Sequence, residues 1–297
     1  MSIAQLADIE FAAPRNIDEA CASMARFVRD GYRVWAVAGC TDWMVDRHME
    51  PITAGPWKAA AVDIHVLPEL RGIRVAGERV SIGAAEPFLA MRRHPVLAAR
   101  CPLLVQMASE VGATQIQARG TLGGNLVSGS PAADGVTALF ALDASVVLRS
   151  ETGERTVPVT SFYTGYRTSV RKADELVARV EFDLPAPGAA MLWRKVGTRK
   201  AQSISKVALA AVAQIGADGR LERAGFGLAS VAEVVLPLSA VRRLALGARP
   251  ADLDPAAVDK AVGLDVRPID DIRSTARYRR HVASTLVRRF LESVGMP

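Results

Sequence analysis

The spacing of apolar residues changes several times along the chain, and each change marks an element. In NIDEACASMARFVRDGY (residues 16–32), Ile17, Cys21, Met24 and Val28 recur at helical spacing, with Asn16 placed as an N-cap and Gly31 as a stop. The short apolar runs RVWAVAG (33–39) and AAAVDI (59–64) predict strands, so the first sixty or so residues read as a small α/β unit. GIRVAGERVSIGA (72–84) alternates about Gly77-Glu78 as a hairpin, and HPVLAARCPLLVQMASEVG (94–112) reads as helical. A second hairpin follows in ASVVLRSETGERTVPV (144–159), then a strand in DELVARVEFDL (174–184).

Two prolines and a glycine in LPAPGAA (184–190) interrupt that last strand and mark a boundary. Beyond it AMLWRKVG, ISKVALAAVAQI and RAGFGLASV read as antiparallel strands, the last two joined at Asp218-Gly219, and three helical segments fill the rest. In the terminal segment Tyr278, Val282, Leu286 and Phe290 recur every four residues, which predicts an amphipathic helix whose arginines form its solvated or partner-facing side.

Composition narrows the class. The chain of 297 residues is 50% hydrophobic and 23% charged, enough to fill two or three compact cores. It contains no run near the about 18 apolar residues of a membrane span, and its N-terminus lacks a secretory pattern, so a cytoplasmic protein is expected. Cys21, Cys40 and Cys101 form no C-x-x-C pair, and His48, His65, His94 and His281 show no metal-ligand spacing, so no metal site is expected on this chain. The net charge of +6 raises the question of nucleic acid, but acidic residues interleave throughout and the basic stretches lack interspersed exposed aromatics. Nucleic-acid binding is not expected.

Five glycines punctuate GATQIQARGTLGGNLVSGSPAAD (112–134). A run such as GTLGGN removes β-carbons, so backbone amides can converge on an anion. It is neither a P-loop, since no G-K-[ST] follows, nor a G-x-G-x-x-G fingerprint between strand and helix. A tight turn at a sheet edge accounts for these glycines as well. A second amide-rich loop, VAGCTD (37–42), follows an apolar strand, and two such loops suit a diphosphate.

These two loops resemble the FAD-binding medium subunit of bacterial molybdenum hydroxylases, the xanthine dehydrogenase and carbon monoxide dehydrogenase group. That family's A-G-G-T-D-like pattern is met by Ala38, Gly39, Cys40, Thr41 and Asp42, and its G-T-x-G-G-N by Gly120, Thr121, Gly123, Gly124 and Asn125, followed by Pro131 and Asp134. WRKVGTRKAQSISK and the terminal DIRSTARYRRHVASTLVRRFL also resemble it, so the likeness spans nearly the whole chain. The resemblance implies an α+β protein. A two-subdomain FAD-binding fold of the PCMH type (residues 1–184, divided near 58) would precede a C-terminal three-stranded antiparallel sheet with helices (189–297).

The resemblance also implies roles. Residues 39–43, ending in Trp43, and residues 121–125 would surround the diphosphate, with Ala38 leading into the first loop. Asp134 would lie near the ribityl or adenosine portion, Val111 and Val180 would be apolar neighbours, and Lys195 would be a cation near the flavin. A cation there would favour an anionic reduced flavin. Cys40 replaces the family's usual second glycine and Trp43 a small aliphatic residue, and neither change removes an amide donor. Trp193 suits a buried core at least as well as a ring against the flavin.

The expected function is electron transfer. A small partner would carry two [2Fe-2S] clusters, a large partner the molybdopterin-type molybdenum cofactor, and electrons would leave through FAD to an external acceptor, whether NAD, oxygen or a quinone. No catalytic residue is expected on this chain. A stand-alone FAD oxidoreductase and a cofactor-free assembly subunit remain as alternatives.

Overall fold

The computed structural model describes residues 9–49, 58–199 and 202–297. Parts of the expected first subdomain (1–8 and 50–57) and of the basic segment (200–201) therefore lie outside the described residues. The first unit comprises β1 (Ile9–Ala12), α1 (Ile17–Arg29), β2 (Tyr32–Val37), α2 (Trp43–Met49) and β3 (Lys58–Asp63). Its three strands are parallel in the order β1-β3-β2. Asn16 caps α1 as its position suggests, its Oδ1 accepting from the Glu19 amide at 2.8 Å. β1 has no counterpart among the strands expected from the sequence: it is four residues long, lies at the sheet edge and leaves Phe11 60% exposed.

The second unit begins with the hairpin β4 (Ile73–Ala76) and β5 (Arg79–Gly83). Helices α3 (Phe88–Arg93), α4 (Pro95–Arg100), α5 (Pro102–Glu110), α6 (Thr114–Arg119), α7 (Leu122–Ser128) and α8 (Asp134–Ala141) follow. The helical reading of 94–112 thus divides at Pro102, which occupies the first position of α5, where a missing amide costs nothing. Next come β6 (Ser145–Ser150), β7 (Gly153–Pro158), the small ladder β8 (Tyr163–Gly165) and β9 (Thr168–Ser169), and β10 (Leu176–Asp183). The main sheet is antiparallel, β4-β5-β10-β6-β7. Val80, Ile82, Val146, Leu148, Val180 and Phe182 enter its core, while Arg79, Arg179, Glu154 and Glu181 pair across strands outside it.

The third unit is the antiparallel sheet β11 (Ala190–Val196), β12 (Val207–Ile215) and β13 (Leu221–Ala229), with α9 (Ser239–Ala245), α10 (Pro255–Asp265) and α11 (Ala276–Glu292). β12 is buried on both faces, which explains its unbroken apolar run. Val207, Leu209, Ala211 and Ala213 meet the C-terminal helices, and Ala208, Ala210 and Val212 join the core of the second unit. Helix α8 lies against β13 with backbone nearly in contact. A Cβ at Gly225 would stand 2.1 Å from the Ala141 carbonyl oxygen, and one at Gly227 1.9 Å from that of Thr137. All eight residues of α8 are buried.

The terminal helix corrects one expectation. Its buried stripe is Arg279, Ala283, Leu286, Val287, Phe290 and Leu291, while Tyr278 is 41% exposed. Arg279 is not on a solvated face: its guanidinium donates to the carbonyls of Lys206 (2.7 Å) and Ser230 (2.9 Å) and to Asp271 Oδ1 (2.7 Å). These three acceptors rotate the stripe by one residue. Arg279→Ala should lower the free energy of unfolding by about 3 kcal/mol, because it strips buried acceptors of a charged donor. Arg280→Ala, on the exposed side, should change it by less than about 0.5 kcal/mol. Urea unfolding of the two variants checks this.

Candidate functional site

The glycine-rich stretch is built of short helices rather than an open loop. Thr121 caps α7, its Oγ1 accepting from the Gly124 amide at 3.1 Å, so residues 122–128 of the expected loop are helical. Two other amides there are also taken: Leu122 N donates to the Glu86 carbonyl and Gly123 N to that of Ala84. The second segment therefore does not offer the converging amides expected of it. In the first loop the opposite holds. None of the amides of residues 39–43 donates to an acceptor among the described residues. Cys40 takes a φ of +61° here, the left-handed conformation that curls successive amides toward one point. A side chain in that region costs on the order of 1 kcal/mol, which explains why glycine suits the position.

The two segments touch. A Cβ at Gly39 would lie 2.0 Å from the Arg119 carbonyl oxygen, and one at Gly120 3.4 Å from Thr41 Oγ1. Ser128 Oγ donates to Asp42 Oδ2 at 2.6 Å, and Arg167 pairs with Asp46 at 3.5 Å. The glycines thus divide into kinds. A Cβ at Gly123 would meet Ala84 Cβ at 2.6 Å and its carbonyl oxygen at 2.7 Å, so this glycine serves close packing. Gly124 is exposed and helical, and a Cβ there would meet only Thr121 Oγ1, at 3.0 Å. No protein group requires that glycine.

From α7 the line of candidate residues continues to a buried ion pair. Asn125 Oδ1 accepts from the Val136 amide at 3.3 Å, joining α7 to the first turn of α8. That turn begins at Asp134, whose Oδ2 lies 2.6 Å from Lys195 Nζ, with both side chains under 10% exposed. Lys195 also donates to the Glu110 carbonyl at 3.2 Å. Asp134 Oδ1 is buried without a hydrogen-bond partner. Burial pushes the Asp134 carboxyl up to about 6, against the pull of the Lys195 ammonium. Lys195 is therefore a partnered cation on β11, neither solvated nor uncompensated.

The other expected neighbours separate. Val111 follows α5, half-buried beside Glu110. Val180 is fully buried in the sheet core and exposes no surface to a ligand. Trp193 belongs to the core, its Nε1 donating to Glu110 Oε2 at 3.0 Å. Trp43 packs edge-on to Trp35 at 6.4 Å, and its indole N–H is buried without a partner. Burial raises the Cys40 thiol above its ordinary range, which keeps it protonated at neutral pH. Three contributors went unanticipated. Arg119 meets His65 Nε2 at 3.1 Å beside the first loop, Ser128 braces Asp42, and Glu110 orients Lys195. Arg119 and Ser128 flank the quoted glycines and could have been read from them, but Glu110 lies 85 residues from its lysine and gives no local signal.

Residues 7–186 match the model of the FAD binding domain in molybdopterin dehydrogenase, and residues 193–294 that of the CO dehydrogenase flavoprotein C-terminal domain. The chain is 35% identical over 206 residues to the nicotinate dehydrogenase FAD-subunit of Eubacterium barkeri, covering 67% of each. The chain belongs to the FAD-binding medium subunits of the molybdenum hydroxylases. It is also 28% identical over 285 residues, 96% of each chain, to the carbon monoxide dehydrogenase medium chain of Hydrogenophaga pseudoflava. The solved carbon monoxide dehydrogenase of that organism, in a form lacking the Mo-pyranopterin moiety, superposes with a TM-score of 0.85 at 26% identity over 96% of each chain. Medium subunits of this family are components of oxidoreductases, and the fold seen here is theirs.

The residues present fit FAD. Amides of residues 39–43 that find no acceptor among the described residues suit a diphosphate, the side of Gly124 is open apart from Thr121 Oγ1, and the unpaired oxygen of Asp134 suits a donor from the cofactor. Gly124→Val should leave thermal unfolding within a few degrees of wild type yet abolish flavin retention. Gly123→Ala, which drives a Cβ into the backbone of Ala84, should cost about 2 kcal/mol of stability. Melting curves and flavin absorbance of the two purified variants check the division.

Proposed function

We propose that this chain binds FAD between residues 39–43 and 120–125 and works as the electron-transferring subunit of a molybdenum hydroxylase. The row of amides at residues 39–43 that find no acceptor among the described residues, closed from the other side by Arg119 and Gly120, carries this reading. Thr121, Gly124 and Asn125 line the second wall, Asp134 and Lys195 the far end, and Trp43 the base of the first loop. Residues 1–184 serve flavin binding and 189–297 the sheet-and-helix support.

FAD, when bound, supplies redox chemistry that no amino-acid side chain offers. The protein's task is to hold it, exclude water and fix the charge around it. The Lys195–Asp134 pair places a compensated cation beside an acceptor in a buried setting, so charge added near it is met by oriented groups rather than by water. The chain would receive electrons from [2Fe-2S] clusters of a small subunit and pass them to an external acceptor, with substrate hydroxylation left to a large subunit that would hold the molybdenum cofactor. The purified chain loaded with FAD should show no bleaching with N-heterocyclic or aldehyde substrates, and adding the cluster and molybdenum subunits should restore it. Bleaching of the lone chain would make it a stand-alone oxidoreductase.

A further inference from the structure

Helix α2 follows the amide row of the first loop directly, and little apolar packing holds it. Met44 is 38% exposed and Val45 58%, Trp43 packs on Trp35 of its own unit, and none of these three side chains joins one of the hydrophobic cores. Two polar contacts tie this helix to the second unit. Asp42, at its head, accepts from the Ser128 hydroxyl at 2.6 Å, and Asp46, one turn on, lies 3.5 Å from Arg167 Nη1. A spacing of four residues puts both carboxylates on one side of the helix. An element with few buried apolar contacts opens locally at small cost, so two such contacts weigh heavily on where α2 lies.

Ser128 and Arg167 are presented together. A Cβ at Gly129 would stand 3.0 Å from Arg167 Cα, so the end of α7 and the β8–β9 turn meet backbone to backbone. Tyr163 of β8 fastens the same junction, its hydroxyl donating to the Leu126 carbonyl at 2.9 Å. Both residues at the point of contact are left-handed, Gly129 with a φ of +58° and Arg167 with +52°. Glycine suits such a backbone and an arginine is strained in it, so the turn itself gives no reason for an arginine. Its guanidinium instead reaches an acid on another unit. An exposed ion pair adds little to the stability of a whole fold, and this one is better suited to fixing where α2 lies. The first loop is then held on both sides: Gly39 lies against the Arg119 carbonyl at its start, and Asp42 and Asp46 are held at its end.

We infer that Ser128 and Arg167 are positioning residues: they clasp α2 through Asp42 and Asp46, hold residues 39–43 against the second segment, and so set how slowly FAD leaves. This rests on the flavin seat proposed above. A ligand held between the two segments escapes when one moves off the other, and α2 is the less anchored side, so the clasp acts on release more than on capture. The test loads the full chain with FAD, dilutes it, and follows the rise in flavin fluorescence as the cofactor leaves. Ser128→Ala should speed release about tenfold, the loss of one hydrogen bond to a charged group. Arg167→Ala should speed it about two- to fivefold, as an exposed pair allows, and should abolish the acceleration by salt that the wild-type chain shows. Ser128→Thr, which keeps the hydroxyl, and the exchanged pair Arg167→Asp with Asp46→Arg should both release FAD within about twofold of the wild-type rate. The flavin-free variants should melt within a few degrees of wild type. Unchanged release from the Ser128→Ala, Arg167→Ala double variant overturns the clasp. Faster release that Ser128→Thr and the exchanged pair share with the alanine variants also overturns it, since general loosening would then be the cause. Failure of the wild-type chain to hold FAD would defeat the flavin seat itself, and the clasp with it.

Discussion

The close approach of α8 to β13 is the constraint on which the site depends. Gly225 and Gly227 leave no Cβ between strand and helix, so the backbone of α8 rests directly on the C-terminal sheet. The helix is buried along its whole length, with its apolar side chains in the core of the second unit, and cannot slide without opening that core. Its first residue is Asp134 and the sheet's first strand carries Lys195, so one packing contact fixes both members of the buried pair. The C-terminal unit thus supplies one half of the buried pair, although neither glycine-rich segment lies within it. A side chain at Gly225 or Gly227 would displace the pair without touching it.

The site is assembled by backbone proximity more than by side-chain chemistry. Gly39 is present because main chain meets main chain there, which brings segments of the first and second units together, whereas Gly123 lets the second segment pack on Ala84 within its own unit. Gly124 alone is free of such duty. The same economy governs the polar groups. Amides in α7 are spent on holding the helix, whereas those of residues 39–43 and the second oxygen of Asp134 find no partner among the described residues. A buried polar group left unpaired is costly, so the free oxygen of Asp134 is the group that gains most from a polar ligand.

Much of this was legible in the sequence. Strong periodicity gave α1, both hairpins and the three C-terminal strands, because local pattern and final environment agree there. Motif resemblance singled out both segments and, separately, Asp134 and Lys195, but not their pairing. What escaped depends on contacts between distant residues. GTLGGN looks like a loop by glycine content, yet the Thr121 cap and the packing of Gly123 on Ala84 make it the start of a helix. Val180 has the composition of a cofactor neighbour and of a core strand residue alike, and only the pairing of β10 between β5 and β6 puts it in the core. Arg279 looked solvated because charge usually is, and its three acceptors come from strand ends and a turn that no periodicity connects to it.

The central claim is that the unpaired amides of residues 39–43, facing the second segment, are a seat for a dinucleotide flavin. Titration calorimetry of the flavin-free chain with FAD and with FMN tests it most directly. On this proposal a diphosphate would engage the whole row, whereas a monophosphate would leave donors unpaired inside the occupied site, at about 1–3 kcal/mol for each. The account therefore requires FAD to bind at least about 100-fold more tightly than FMN. Equal affinity for the two flavins would contradict it.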